Sequence, residues 1–250
     1  MTETACLQYE HTLPGTFVKR LNRFAAEVLV EGKTETVHVK NTGRLQELLV
    51  PGADVTLQKA ANPARATAFD LISVWKQGLD WVNIDSLAPN LLMKRFLESS
   101  SYDRVKPEYR YGDSRFDFYM EKQGRKYLRE VKGCTLALDL RAGTGLFPDA
   151  PTERGVKHLH ELAEAQKAGS LCSVCFVIQM NGIHTVLPND VTQPAFGMAL
   201  EAAARAGVEV LCCPCRVEAD RIWIIGESHH PRKRLNFPKE SRRNPHDGLQ

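Results

Sequence analysis

The spacing of apolar residues changes along this chain, and the change limits the folds that the chain can adopt. From residue 14 to residue 83, apolar and polar residues alternate in short segments separated by turn-forming residues. Such alternation is typical of strands that place one face against a core. We therefore predict a small closed barrel of about five strands, with its segments at residues 16–30, 34–39, 54–59 and 69–75.

A second region begins near residue 84 and mixes helical and strand patterns. Pro89 and Asn90 precede a run with helical spacing that includes Leu92 and Phe96. Three strand candidates follow this helix, at residues 105–111, 115–121 and 126–138.

After Pro151 the pattern repeats a helix followed by a strand. Thr152 is a suitable N-cap for the first helix, which leads to an apolar strand at residues 171–180. Pro194 suits the first turn of the second helix, which leads to a strand at residues 208–213. The second region is therefore expected to be an α/β domain.

Composition excludes several classes of protein. The chain has 250 residues, of which 43% are apolar and 25% charged, so it can bury one large or two small cores. It contains no apolar run near the roughly 20 residues that cross a bilayer, so we expect no membrane partner. The first thirty residues lack a secretory signal, and seven cysteines suit thiols in a reducing cytoplasm.

The positive charge is concentrated near the carboxyl end. Residues 229–250 hold six Lys or Arg and two Asp or Glu, a net charge of +4. The whole chain has a net charge of +3, so residues 1–228 together carry −1. We interpret residues 227–250 as a mobile basic tail that is attracted to polyanions. A solubilising terminus without a partner is an equal alternative.

Three side chains on two predicted strands form the clearest chemical pattern. In one strand Phe116 and Phe118 are expected to face the core while Asp117 projects to the other side. In the next strand, the two-residue period places Glu130 and Lys132 on one face. If these strands pair, Asp117 and Glu130 would share Mg²⁺ or Mn²⁺, which prefer oxygen ligands, and Lys132 would assist a bound water.

This pattern alone is weak, because Glu and Lys are common residues. A solvated strand face with an ion pair worth about 0 to 1 kcal/mol would give the same sequence. The order of the elements favours the functional interpretation: a helix, a strand, a strand with Asp, a strand with Glu-x-Lys, and another helix.

The helix that begins after Thr152 carries a dense group of polar side chains, Glu153, Arg154, Lys157 and His158. A helix N-terminus with basic side chains is suited to phosphate. Glu153 is a candidate metal ligand or acid–base group, and the other three are candidate nucleic-acid contacts. An exposed charged helix face is the alternative.

Basic residues also occur at intervals along the predicted barrel. Basic groups that alternate with aromatic rings are expected of a barrel that binds oligonucleotides. We expect the rings to fill the barrel, which leaves Arg20, Arg23 and Arg44 as the contacts. Arg115, two residues before Asp117, is a further predicted contact.

Two Cys-x-x-Cys pairs, at Cys172/Cys175 and Cys212/Cys215, have the spacing of a four-thiolate zinc site. The first pair lies inside a predicted strand, where residues three apart point to opposite faces. We therefore favour buried thiols over zinc.

Five segments together resemble the sugar fermentation stimulation protein (SfsA) family. They are GTFVKRLNRF (15–24), NTGR (41–44), YGDSRFDF (111–118), EVK (130–132) and FPDAPTERGVKHL (147–159). The resemblance implies an OB-like barrel at residues 1–83, followed at 84–226 by a PD-(D/E)XK nuclease-like α/β domain with a mixed central sheet. It also implies DNA binding and metal-dependent nuclease chemistry at Asp117, Glu130 and Lys132.

One departure from the family pattern leaves the function open. Relatives usually carry Glu about five residues after the position of Asn90, where this chain has Arg95, and Glu98 is one turn away. The favoured function is phosphodiester hydrolysis in DNA, with RNA as an alternative substrate. The other hypothesis is a DNA-binding regulator linked to sugar metabolism that has no catalytic activity. The sequence leaves a homo-oligomer open.

Overall fold

The computed structural model describes residues 5–62, 64–112 and 114–230. A short strand, β1 (Cys6–Gln8), comes first. The strands of the first region are β2 (Thr12–Arg20), β3 (Ala25–Val30), β4 (Lys33–Val39), β5 (Asp54–Lys59), β6 (Phe69–Lys76) and β7 (Asp80–Asn83). Residues 16–30, which we expected as one alternating segment, are the hairpin of β2 and β3.

Strands β2 to β6 close into a barrel. Each neighbouring pair is antiparallel except β4 and β6, which pair in parallel through His38 with Asp70 and Val39 with Leu71. Alternate side chains of the strands are buried inside the barrel, among them Phe17, Val28, Val37, Leu57 and Leu71. The predicted OB-like barrel is confirmed.

The second region contains ten strands and three helices in its described residues. The helices are α1 (Ala88–Glu98), α2 (Glu153–Lys167) and α3 (Pro194–Arg205). The strands are β8 (Arg104–Tyr111), β9 (Ser114–Lys122), β10 (Arg125–Cys134), β11 (Leu136–Asp139), β12 (Thr144–Phe147), β13 (Leu171–Ile178), β14 (Thr185–Pro188), β15 (Glu209–Val217), β16 (Arg221–Ile224) and β17 (Ser228–His229).

A mixed sheet forms the centre of this region. Its strand order is β1-β16-β15-β13-β10-β9-β8. Strand β17 pairs with Leu211 and Cys212 of β15, whereas β16 pairs with residues 215–217 of the same strand. Strands β10, β13 and β15 are parallel, and the remaining pairs are antiparallel. A barrel followed by an α/β domain with a mixed sheet is the predicted fold class. Strands β11, β12 and β14 form a separate small sheet that the sequence did not predict.

Both ends of the described chain belong to the central sheet. Strand β1 pairs with β16, so the assignment of residues 1–83 to the barrel is wrong for residues 6–8. Strand β17 pairs with β15, and His230 is buried, so the predicted tail at 227–250 does not begin at residue 227. The remainder of that tail, residues 231–250, lies outside the described residues.

The helices cover opposite faces of the central sheet. Leu92 and Leu97 of α1 pack with Val131 and Cys175 in one core, which we call the α1-side core. On the other face, α2 and α3 pack in the α2-side core through residues that include Leu159, Leu162, Phe196 and Leu200. As predicted, Thr152 caps α2, since its hydroxyl oxygen accepts a bond of 3.0 Å from the Gly155 N–H. None of the helices within the described ranges is long and apolar enough to cross a bilayer.

A buried polar network joins the barrel to the central sheet. Lys40, next to the end of β4, donates to Asp85 over 2.7 Å, and the Tyr9 hydroxyl bonds to Asp85 and to Asn83. Gln179, which follows β13, donates to Asn83 and to the Asp85 carbonyl. Because Asp85 is buried, Lys40 neutralises a carboxylate that would otherwise destabilise the junction.

Candidate active site on the central sheet

Asp117 lies where β9 and β10 separate. The backbone pairing of these strands ends at Phe118 and Arg129, so the Val131 N–H has no partner in the ladder on that side. The Asp117 carboxylate accepts this N–H over 2.7 Å, and its other oxygen accepts from the Asn90 amide of α1 over 2.9 Å. Asp117 is therefore held in one orientation by two elements.

The pairing of β9 with β8 is also interrupted at Asp117. On β9, Phe116 pairs with Tyr109 and Phe118 pairs with Pro107. Glu108, which lies between Pro107 and Tyr109 on β8, has a φ of 53°. Phe116 packs in the α2-side core and Phe118 in the α1-side core. Our expectation that both rings share one face is wrong: they lie in different cores, and the ladder of β8 and β9 is interrupted between them.

Glu130 is buried on the α2 side of the sheet, with 3% of its surface exposed. One carboxylate oxygen, Oε1, accepts from Lys132 over 2.6 Å and also bonds to Nδ1 of His158. The other oxygen, Oε2, is buried and has no hydrogen-bond partner among the described residues. A buried carboxylate oxygen without a donor is costly, and a cation is one way to satisfy it.

The two carboxylates differ in their electrostatics. Burial, and then the charge of Glu130, raise the pKa of Asp117 above its usual range. Burial alone would raise the pKa of Glu130 as well, but the bond from His158 and the charge of Lys132 hold that pKa below its usual range. Glu130 is therefore the permanent negative charge of the site, and Asp117 is the carboxylate that ionises less readily.

His158 has a different position from the one we expected of a nucleic-acid contact. It is 5% exposed, and its ring bonds to the buried carboxylate of Glu130. Arg154 donates from Nε to His158 Nε2 over 3.3 Å, which assigns a proton to Nδ1, the nitrogen that faces Glu130. The four-residue spacing of Arg154 and His158 on a helix makes this contact available.

The other two predicted site residues of α2, Glu153 and Lys157, are exposed. Lys157 forms an ion pair of 3.6 Å with Glu161. Glu153, a predicted acid–base group, makes no hydrogen bond or ion pair with any other described residue. Its position in the first turn favours the helix dipole, and nothing in its contacts joins it to Asp117 and Glu130.

Helix α1 contributes Asn90 to the site. Arg95, at the position where the family pattern has Glu, instead donates to the Cys6 carbonyl of β1. Glu98 forms an ion pair with Lys94. Five residues along a helix correspond to about 1.4 turns, so Asn90 and Arg95 occupy different sides of α1.

The arginines of the barrel have two distinct environments. Arg20 donates to five backbone carbonyls of the neighbouring loops, those of Asn22, Arg23, Asn41, Gly43 and Arg44, over 2.8 to 3.1 Å. Its guanidinium group therefore organises the loops. Arg23 and Arg44 are exposed and line the same surface depression. Arg115 is also exposed and pairs with Glu108 over 2.9 Å.

A cleft of about 320 Å³ lies between the barrel and the central sheet. Its barrel side includes Arg23 and Gly43, and its other side includes Pro89, Gly133 and Thr152. These last three residues are next in sequence to Asn90, Lys132 and Glu153, so the cleft borders the candidate site. Gly43 allows this close approach, since a Cβ there would lie 2.2 Å from an Asp149 oxygen.

The two Cys-x-x-Cys pairs do not converge. Cys172 and Cys212 are in the α2-side core, whereas Cys175 and Cys215 are in the α1-side core. These four thiols cannot surround one ion, because each pair is divided between the two faces of the sheet.

Comparison with known proteins identifies the family. The family model described as the SfsA N-terminal OB domain matches residues 18–84, and the one described as the sugar fermentation stimulation protein RE domain matches residues 85–221. The chain belongs to the SfsA family. Homologues in this family include one from Desulfitobacterium hafniense (strain DSM 10664 / DCB-2), which is 46% identical over 219 residues, or 86% of this chain and 94% of the homologue.

A second SfsA homologue, from Ruminiclostridium cellulolyticum, is 46% identical over 222 residues, which cover 87% of this chain and 96% of the homologue. Both are named sugar fermentation stimulation protein homologues, and these names state no reaction. The structure of Pyrococcus furiosus SfsA in complex with Ca²⁺ has the same fold, with a TM-score of 0.79 and 24% identity. The similarity covers 88% of this chain and 96% of that one.

Proposed function

We propose that this SfsA-family protein is a metal-dependent nuclease that hydrolyses phosphodiester bonds in DNA, with RNA as an alternative substrate. One observation carries the proposal: Glu130 Oε2 is buried without a partner, in a site whose other carboxylate is Asp117 and whose amine is Lys132. This donor set fits a hard divalent cation, Mg²⁺ or Mn²⁺. The Pyrococcus furiosus protein contains Ca²⁺, which prefers the same oxygen ligands.

In this proposal Asp117 and Glu130 hold the cation. A bound divalent ion would supply Lewis-acid chemistry, polarising phosphate oxygens and lowering the pKa of water. Lys132 would leave Glu130 and orient the attacking water or meet negative charge that develops on the phosphate. His158 would keep Glu130 in place, which makes it a positioning residue.

The remaining predicted residues would bind the nucleic acid. Arg154 and the N-terminus of α2 suit a phosphate group near the site. Arg23 and Arg44 on the barrel and Arg115 on β9 are exposed and would contact the phosphate backbone, a mode of binding that is independent of sequence. The cleft between barrel and sheet gives a path from these residues to Lys132.

A non-catalytic DNA-binding regulator is the second candidate. The ion pair between Lys132 and Glu130 favours it, because an ammonium group already neutralises the carboxylate that would hold the cation. Arg95 in place of an acidic residue favours it too. In this alternative Arg23 and Arg44 bind DNA, and the buried charges of the sheet serve only stability.

Hydrolysis of single-stranded and double-stranded DNA and of RNA, with Mg²⁺ or Mn²⁺, tests the proposal. We expect cleavage that falls by roughly a hundredfold or more in Asp117→Asn and Lys132→Met. Lys126→Met, on the same strand but exposed, is the matched control and should keep full activity. Cleavage that is equal in all three variants contradicts the assignment. DNA binding without cleavage under either metal selects the regulator.

A further inference from the structure

Two thiols meet at one point in the α1-side core: Cys175, from the first Cys-x-x-Cys pair, and Cys213, which lies between the cysteines of the second pair. Cys175 on β13 and Cys213 on β15 are both fully buried, and their Sγ atoms are 3.2 Å apart. The carboxylate of Glu227, just before β17, lies 3.8 Å from Cys213 Sγ. The three potential ligand atoms all lie within 4.8 Å of one another.

We propose that Cys175, Cys213 and Glu227 bind one Zn²⁺ ion. Zinc accepts a mixed set of thiolate and carboxylate ligands, with bonds of about 2.3 Å to sulfur and about 2.0 to 2.2 Å to oxygen. In a tetrahedral site of these dimensions, neighbouring ligand atoms are about 3.5 to 3.8 Å apart. The distance from Cys213 to Glu227 already fits, and the thiols, 3.2 Å apart, need to separate by about half an ångström. Water would fill the fourth position.

Arg129 supplies the charge that such a site needs. Two thiolates, one carboxylate and Zn²⁺ sum to −1, and the guanidinium group of Arg129 neutralises this charge. Arg129 is 3% exposed and donates to Glu227 over 2.6 Å, while its Nε donates to Ser173. It would therefore stay beside the zinc ligand and orient it. Without zinc, Arg129 balances the charge of Glu227. Zinc binds cysteine as thiolate, so binding would release protons to the solvent.

The location of the three ligands indicates a structural role. Cys175 and Cys213 lie on neighbouring parallel strands in the α1-side core, on the other face of the sheet from Glu130. Glu227 belongs to the segment between β16 and β17, and its side chain is 27% exposed, which provides a path for the ion. Zinc would tie this segment to the centre of the sheet, independently of the proposed nuclease site.

Zinc retention by the full chain tests the proposal. The protein is stripped with a chelator under reducing conditions, given an excess of Zn²⁺ and desalted, and bound zinc is measured by elemental analysis. The background carries Asp117→Asn, so that the acidic site does not contribute. We expect about one zinc per chain, and near-complete loss in Cys175→Ala and Cys213→Ala. The matched controls Cys172→Ala and Cys212→Ala, on the opposite face, should retain it.

Two further measurements keep the test decisive where a core variant fails to fold. Glu227→Ala leaves both core thiols in place, although it also removes the ion-pair partner of Arg129. Competition with a chromophoric chelator should show an affinity reduced by roughly tenfold or more. Replacing zinc with Co²⁺ should give a thiolate-to-cobalt charge-transfer band that is present in Cys172→Ala and weakened in Glu227→Ala.

Three results would overturn the proposal. The first is loss of zinc with Asp117→Asn alone, which would assign the zinc to the acidic site. The second is a zinc content and affinity of Glu227→Ala equal to those of the parent protein. The third is reduced protein that retains no zinc while oxidation joins Cys175 to Cys213 in a disulfide, which would make the pair a redox site.

Discussion

His158 donates its Nδ1 proton to Glu130, so a helix on one face of the sheet fixes a carboxylate that a strand carries. If Glu130 binds a divalent cation, loss of this donor should weaken binding by about 10- to 100-fold. We expect this loss in His158→Leu, whereas His158→Asn, whose amide can replace Nδ1, should keep most of the affinity. Calorimetric titration with Mn²⁺ measures it, and His160→Leu, on the exposed side of α2, is the control.

The carboxylate of Asp117 should lower the free energy of unfolding of the protein at neutral pH. The pKa of Asp117 is higher in the folded state than in the unfolded state, so the folded state binds the proton more tightly. The free energy of unfolding therefore falls as the pH rises from the unfolded pKa through the folded pKa. At neutral pH, without divalent cations, Asp117→Asn should therefore be more stable by about 1 kcal/mol.

This gain should shrink as the pH falls below the usual Asp range, where the carboxyl group is protonated in both states. Denaturant unfolding in the presence of a chelator at several pH values measures it. Asp54→Asn, an exposed aspartate of the barrel, should change little at any pH. A less stable Asp117→Asn at neutral pH would show that its hydrogen bonds outweigh the cost of its burial.

Arg20 should act through stability rather than through contact with nucleic acid. Arg20→Ala leaves several loop carbonyls without their donor, and we expect a loss of about 2 kcal/mol in the free energy of unfolding. Arg44→Ala, in the same group of loops but exposed, should change this free energy by less than about 0.5 kcal/mol. Equal unfolding curves for the two variants would contradict the structural role of Arg20.

Substitution of Arg23 or Arg44 should change the salt dependence of DNA binding. Removal of one phosphate contact lowers the slope of log K against log salt by about 1 and weakens binding to all sequences alike. We expect this change in Arg23→Ala and in Arg44→Ala. Fluorescence anisotropy at several salt concentrations measures the slope. Arg205→Ala, at the end of α3, should leave it unchanged, and slopes equal to the parent's in all three variants would exclude the barrel loops as the contact surface.

Lys40 should stabilise the junction between barrel and sheet. Lys40→Met leaves the buried Asp85 carboxylate without its cation and should cost about 3 kcal/mol. The double variant Lys40→Met with Asp85→Asn should recover part of that loss, because it also removes the unpaired charge. Lys33→Met, at the exposed start of β4, is the control in the same denaturation experiment. No recovery in the double variant would indicate that the packing of Lys40 matters more than its charge.

Much of the fold could be predicted from the sequence because it depends on local periodicity. Alternation identified β4 and β5, and the capping residue Thr152 located the start of α2. Strands of three or four residues, such as β1 and β12, are too short to show a period, and their partners are distant in sequence. Their pairing could not be predicted for this reason.

The candidate site was predictable in part. The two-residue period correctly indicated that Glu130 and Lys132 share a face, and the structure brings them together. The roles of Asn90 and His158 depend on how α1 and α2 dock on the sheet, which no local pattern encodes. The same limit applies to Glu227, whose proximity to Cys213 follows from the return of the chain after β16.

The pairing of β1 with β16 has a consequence for how the molecule is made. Residues 6–8 leave the ribosome before the barrel does, yet β16, their strand partner among the described residues, is synthesised long after it. The barrel can close early, whereas this edge of the larger sheet has to wait until β16 is made. A fragment cut at residue 84 would lack β1 and expose β16 as an open edge that can recruit other chains. Attempts to express the second domain alone should therefore carry the first ten residues along, reconnected by a linker in place of the barrel.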